Sequence, residues 1–305
     1  MREENTKLRV EQIQLLPGES FRLLRWNDNV GDVEAIAVDG TSHPFKGAGN
    51  EWHHHSQMEL TLVTRGSGTR FAGDNIKHFK AVDLILIGPN LPHYWHGLHD
   101  SSGYAIQFDF EPEHPFWQLP ETQALHKLWK DAQRGIHFTG STVPEIARLI
   151  QSMPKCGGFG RLALFMQILE IILKTPPENR QVISSKTFVP AVRQSTYRGI
   201  QKAIYQVFHK FNEELYLSDI LKESGMSKAT FERQFRKHTG KTFTQFVTEV
   251  RLNFAGRKLI ETDLSICEIA FASGFNNLSH FNHKFSELHK QTPSAFRKKK
   301  RTQTR

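Results

Sequence analysis

Leu217-Ser-Asp-Ile-Leu-Lys-Glu-Ser-Gly225-Met-Ser227-Lys-Ala-Thr-Phe231-Glu-Arg-Gln-Phe235 decides the reading of this chain. Ile266-Cys-Glu-Ile-Ala-Phe-Ala-Ser-Gly274-Phe-Asn-Asn277-Leu-Ser-His-Phe281-Asn-His-Lys-Phe285 repeats it about fifty positions later. Leu217, Ile220, Gly225, Phe231 and Phe235 correspond to Ile266, Ile269, Gly274, Phe281 and Phe285. A short helix, a glycine turn, a polar cap and a second helix form the unit that lays a helix in the DNA major groove. Two such units predict two grooves read side by side.

In the first copy, Ser227 is placed to cap the second helix by accepting from an early backbone amide. Phe231 and Phe235 lie one turn apart and are expected to be buried. The opposite side then carries Lys228, Ala229, Thr230, Glu232, Arg233 and Arg236. Arg233 is the candidate for a bidentate contact to guanine, since its planar fork matches O6 and N7, and Glu232 could accept from a cytosine amino group. Lys228 and Arg236 are phosphate candidates, which position the protein but read little sequence. The second copy puts Asn277 at the cap and Ser279, His280, Asn282 and His283 outward. That face carries less charge and predicts fewer strong base contacts.

Between the copies, Phe243, Phe246, Val250, Phe254 and Leu259 stripe one helix ending near Glu261. Its length is roughly 28 Å at 1.5 Å per residue, comparable to the ~34 Å that separates successive major-groove faces. Upstream, Ile200, Ala203, Ile204, Val207, Phe208 and Phe211 predict a helix that packs beneath the first copy.

Charge agrees with this reading. The chain carries a formal net charge of +9, and from residue 197 onward it has 20 Lys+Arg against 10 Asp+Glu. The first 196 residues hold the other 20 against 21, so the whole positive excess lies with the repeated helices, where a polyanion would bind. No apolar run reaches the length of a membrane span, which predicts no membrane partner. The polar start Met1-Arg-Glu-Glu-Asn-Thr-Lys lacks the apolar core of a signal peptide. Cys156 and Cys267 sit in unrelated surroundings and suggest neither a disulfide framework nor a zinc knuckle. The expected location is cytoplasmic.

The first 110 residues read as short strands separated by glycine and aspartate: Phe21–Trp26, Met58–Val63, Leu84–Ile87 and Tyr104–Phe108. This spacing suggests a barrel or jelly roll. Helical periodicity follows, with Leu125, Leu128 and Trp129, then Ile146, Leu149 and Ile150. A stripe of Leu162, Phe165, Met166, Leu169, Ile172 and Leu173 comes last. The expected class is α+β, an N-terminal β-barrel with accessory helices and an all-α C-terminal domain. The expected boundaries are 1–174 for a sensor and dimerisation domain, 175–196 for a linker, 197–297 for the paired units and 298–305 for a disordered basic tail.

The runs Gly225–Phe243, Arg251–Ala255, Ser265–Phe275, Phe281–Phe285 and Thr292–Arg297 together resemble the AraC/XylS family of bacterial transcription regulators. The likeness covers nearly all of residues 198 to 297. Lys290 departs from the family's glycine at the end of the second recognition helix, where a left-handed lysine would cost about 1 kcal/mol. Leu221 replaces the usual alanine. The resemblance implies a transcription regulator acting on promoter half-sites of double-stranded DNA. It also implies a homodimer held by the helices after the barrel and, for an activator, contact with RNA polymerase.

Gly47, His53, His55, Glu59 and Gly66 resemble the first motif of the cupin fold, and Pro89 and His93 part of the second, whose leading glycine is missing. His53 and His55 are expected on one strand, facing the same way. In the resembling regulators such a barrel binds a small effector, often a sugar, and no cofactor is required. Three readings of the histidines stand open. They line an effector pocket with Trp52, Glu59 and Trp95, or they hold a divalent metal as His53, His55, Glu59 and His93, or they are structural. Two other functions compete with the regulator. One is a metal-dependent cupin enzyme carrying a DNA-binding tail, and the other is a nucleoid-type binder without sequence preference.

Overall fold

The computed structural model describes residues 13, 15, 18–110, 114–188 and 194–302. The chain divides into two compact units, one built largely on strands and the other largely helical.

The first unit opens with β1 (Phe21–Asn29), β2 (Asp32–Ile36), β3 (Ser42–Lys46), β4 (Met58–Arg65), β5 (Ser67–Ala72) and β6 (Asn75–Lys80). It continues through β7 (Asp83–Ile87), β8 (His93–His96) and β9 (His99–Phe108), then α1 (Leu125–Ala132), β10 (Ile136–Phe138), α2 (Thr142–Ser152), α3 (Gly158–Lys174) and β11 (Arg180–Val182). The strands form an eight-stranded sheet in the order β11-β10-β7-β4-β9-β1-β2-β3 and a separate three-stranded sheet, β6-β5-β8. The expected barrel is therefore not closed. All four strands expected from alternation are present, within β1, β4, β7 and β9.

Period-two alternation sorts the side chains of the large sheet. Met58, Leu60, Leu62, Leu84, Leu86, Ile106 and Phe108 share one core with α1, α2 and α3. Glu59, Thr61 and Val63 point to the other face, where Val63, Ile85 and Ile87 join Ala72 and Trp95 of the small sheet in a second core. The polar positions of β4 thus lie between the two sheets.

Two expected boundaries are corrected. Much of the segment 175–196, expected as a linker, is built onto the first unit. β11 pairs antiparallel with β10, and the buried Ser184 hydroxyl donates to Asp74 at 2.9 Å. The α3 stripe is also spent on this unit's own core: Phe165, Leu169 and Ile172 are buried and Leu162 and Leu173 pack against it. Met166 and Phe159 remain exposed.

The second unit contains α4 (Gln194–Lys210), α5 (Leu217–Ser224), α6 (Lys228–Thr239), α7 (Phe243–Glu261), α8 (Ile266–Ala272), α9 (Leu278–His289) and α10 (Pro293–Thr302). α10 corrects the expected tail, because the basic run from Lys298 continues a helix to Thr302; residues 303–305 lie outside the described residues. α7 starts and ends where the apolar stripe predicts, and a capping box between Thr242 and Gln245 opens it. Phe243, Phe246, Val250 and Leu259 are buried and Phe254 is half-buried. Two aromatic clusters share this helix. Phe231, Phe235, Phe243 and Phe246 pack together at its start, and Leu252, Ala255 and Leu259 join Phe275, Phe281, Phe285 and Phe296 at its end.

Candidate nucleic-acid interface and effector site

The two recognition helices are set by their caps. Ser227 accepts from the Thr230 amide at 3.4 Å, and Asn277 from the His280 amide at 2.8 Å. Each satisfies an amide that the first helical turn leaves without an internal acceptor. α5 ends on Gly225 at φ 66°, left-handed backbone that glycine adopts without a Cβ penalty. Phe231, Phe235, Phe281 and Phe285 are all fully buried. Their burial pins one side of α6 and α9 to the interior and turns the other side to water.

Lys228, Ala229, Glu232, Arg233 and Arg236 are exposed on α6, with Thr230 half-buried beside the cap. Ser279, His280, Asn282 and His283 are exposed on α9. Lys237, not singled out from the sequence, is a further exposed cation on α6. On α9 the charges are partly self-neutralised, since Lys284 donates to Glu287 at 2.8 Å and His283 lies 4.0 Å from the same carboxylate. The α6 face thus carries more exposed cations than the α9 face.

In the first unit, His53 and His93 face each other across an isolated antiparallel bridge, with backbone bonds of 3.2 and 2.9 Å. His53 and His55 therefore lie on an irregular segment, not on the strand expected. One ring nitrogen each of His53, His55 and His93 falls within 4.8 Å of the others. The tautomers follow from the opposite nitrogens. Nδ1 of His53 donates to the Glu51 carbonyl at 2.8 Å, that of His55 to Gln57 at 3.0 Å and that of His93 to Leu91 at 2.8 Å. A carbonyl only accepts, so each Nδ1 carries a proton, and where the ring is neutral its Nε2 keeps the lone pair. Burial, then the neighbouring rings, push His53 down to about 4 and His93 well below its ordinary value, so both are neutral near pH 7.

Glu59 stands on β4 beside this group, its Oε2 3.3 Å from His55 Nε2. Burial raises its carboxyl, but the hydrogen bond from His55, the neighbouring rings and the Thr61 hydroxyl outweigh it and hold Glu59 below the ordinary carboxylate range. Gln107 of β9 lies opposite Glu59 in register and donates to it at 2.9 Å. That bond fixes the amide orientation. Gln107 and Thr61 were not singled out from the sequence, although a lone polar residue in the apolar run Tyr104–Phe108 is a readable signal.

A cavity of about 40 Å³ opens here, lined by His53, Glu59, Thr61, Trp95 and Gln107 on its polar side and by Trp26 among its apolar walls. That is room for roughly three water molecules. Trp95 Nε1 and Gln107 Oε1 are buried without a hydrogen-bond partner among the described residues, as is His93 Nε2. Trp52, expected as a stacking surface, is buried elsewhere and does not line the cavity.

A duplicated, capped helix-turn-helix with its cationic side in water, joined to a β-rich unit, defines a DNA-binding transcription regulator. The family model described as a helix-turn-helix domain matches residues 220–299. The transcriptional activator RhaS of Pectobacterium atrosepticum is 23% identical over 255 residues, covering 80% of this chain and 86% of that protein. The Transposon Tn10 TetD protein of Escherichia coli is 32% identical over 108 residues, 35% of this chain and 78% of that protein. An AraC-type DNA-binding domain from Chromobacterium violaceum aligns over 35% of this chain and 96% of its own, with 27% identity and a TM-score of 0.33. The chain belongs to the AraC/XylS family of transcription regulators. Relatives that match across both units are named as regulators, which disfavours the enzyme reading. No described helix is long and apolar enough to cross a membrane.

Proposed function

We propose that α6 and α9 read promoter half-sites while the β-rich unit senses a small hydroxylated molecule, a sugar among the candidates. Arg233 reads a guanine on the α6 side, and Lys228 and Arg236 hold phosphates; Ser279, His280, Asn282 and His283 form the lighter second contact. The observation that carries the sensor assignment is the pair of unmade hydrogen bonds around one cavity, a donor on Trp95 and an acceptor on Gln107. A hydroxyl group supplies both complements at once. Ligand pockets usually run to about 300 Å³ or more, so a sugar ring enters only if the cavity widens. Ligand binding then shifts the population of DNA-competent orientations.

The working form is a homodimer in the bacterial cytoplasm, presenting four recognition helices, with RNA polymerase as the further partner of an activator. Exposed Phe159 and Met166 on α3 are its candidate dimer contacts.

A second reading concerns a divalent metal. Three buried imidazoles whose ring nitrogens converge beside the buried Glu59 are a donor set suited to zinc or a similar ion. His53, His55 and His93 would hold it. Glu59, expected as a fourth ligand, already accepts from Thr61 and Gln107. A bound ion would supply a positive charge balancing the carboxylate and a coordination position for an effector oxygen.

The test is to select duplexes from random DNA with the purified protein, then measure affinity for the selected site with and without a panel of monosaccharides. Tight sequence-dependent binding that shifts with one sugar supports the proposal. Equal affinity for all sequences at fixed salt would refute it.

A further inference from the structure

Arg251, in the middle of α7, is half-buried within the helical unit. Its Nε donates to the Phe211 carbonyl at 2.6 Å and its Nη2 to the Glu213 carbonyl at 2.9 Å. Phe211 to Glu213 form the turn that leaves α4, the helix that packs on α5 and α6 of the first helix-turn-helix. Burial depresses the Arg251 guanidinium somewhat, but an arginine stays charged in any accessible pH range. It therefore makes two charge-assisted bonds to one stretch of backbone.

The same turn touches the second helix-turn-helix at its glycine. Gly274 is left-handed at φ +84°, and a Cβ there would lie 2.7 Å from the Phe211 carbonyl oxygen, 2.9 Å from Asn212 Cα and 2.9 Å from Arg251 Nε. Only a glycine lets the two segments approach so closely. Phe211 also packs on Phe254 of α7, with ring centroids 4.8 Å apart. The two halves otherwise keep separate aromatic cores along α7, one around Phe235 and one around Phe281.

We infer that the Arg251–Phe211–Gly274 junction fixes the spacing at which α6 and α9 meet DNA, making Arg251 and Gly274 positioning residues for half-site separation. A single helix joining two small cores resists bending along its axis but leaves each core to tilt about it. The junction removes that freedom by tying the first half's turn to the second half's turn through a rigid guanidinium. Neither residue lies on a reading face, so neither alters which bases are contacted. They set how many base pairs stand between the two contacted boxes.

The inference rests on the DNA-binding reading, and its test separates the two. The wild-type protein selects a duplex from random sequence, and that duplex is remade with one base pair inserted or removed between the two protected boxes, a shift of about 3.4 Å. The wild-type protein is expected to lose about tenfold or more in affinity on either altered duplex. Arg251→Ala and Gly274→Ala are expected to bind the original duplex somewhat less tightly while discriminating among the three spacings by about threefold or less. Arg251→Lys keeps the charge and stem but not the fork, and should relax spacing in the same direction. It and Gly274→Ala stand in if Arg251→Ala unfolds by circular dichroism. Folded variants that keep the full wild-type discrimination would overturn the inference. A wild-type protein that selects no duplex would overturn the DNA-binding reading instead.

Discussion

His55 Nε2 stands 3.3 Å from Glu59 Oε2, while its Nδ1 donates to the Gln57 carbonyl on the other side of the ring. His53 and His93 bring a ring nitrogen each within 4.8 Å of that of His55, so three imidazoles meet beside a buried carboxylate. Such an arrangement gains most from a cation.

Zinc or cobalt at about 100 times its dissociation constant should therefore stabilise the fold by about 2.7 kcal/mol, read as a rise in melting temperature. His93→Ala should abolish the rise and the cobalt visible spectrum together. An unchanged melting curve in the presence of either ion would remove the metal reading and leave the organic effector.

Arg233→Ala should cost about 1–3 kcal/mol against the selected operator and relax preference at one base position. Lys228→Ala should weaken all sequences alike and lower the salt slope of binding by about 1. Quantitative titrations at several salt concentrations check both. Identical behaviour of the two variants would show that the reading face is misassigned.

Lys290 ends α9 at φ 56°, the left-handed conformation that the family's glycine would adopt without strain. Lys290→Gly should stabilise the helical unit by about 1 kcal/mol, and thermal melts of the two proteins measure it. Asn277→Ala, which removes the cap at the other end of α9, should cost about 1 kcal/mol.

His289 lies between Phe285 and Phe296, with ring centroids at 4.3 and 4.8 Å. Burial lowers it to about 4 from an ordinary 6.5. Its folded value lies below the unfolded one, so its contribution is complete above pH 6.5 and is lost as pH falls toward 4. The loss should be on the order of 2 kcal/mol, and His289→Phe should flatten it in denaturant titrations run at pH 7 and 4.5. A variant with the same pH slope as the wild type would exclude His289 as its source.

The helical unit was legible residue by residue. Helix contacts fall three and four positions apart, so the phenylalanine pairs, the caps and the α7 stripe each declare themselves locally. Ser227 and Asn277 could be named as caps, and the outward side of each second helix listed, before any fold was known. The basic excess beyond residue 196 pointed to the ligand class for the same reason, because charge adds along a chain whatever its path.

The β-rich unit was legible in outline only. Its decisive contacts join residues far apart: Trp26 donates to Ser101, Arg161 to the Ile36 and Ala37 carbonyls, and Ser184 to Asp74. No local periodicity encodes such pairings, so the split into two sheets, the burial of Trp52 and the docking of residues 180–188 came from the folded chain. Gln107 acquires its place beside Glu59 through the β4–β9 register, and His93 reaches His53 through a bridge between an irregular segment and β8. The approach of Arg251 and Gly274 to the Phe211 turn is likewise a matter of helices closing on one another. Local order in a helix is written in neighbouring residues, whereas a sheet's partners and a tight junction's geometry arise only when distant segments compete for the same buried space.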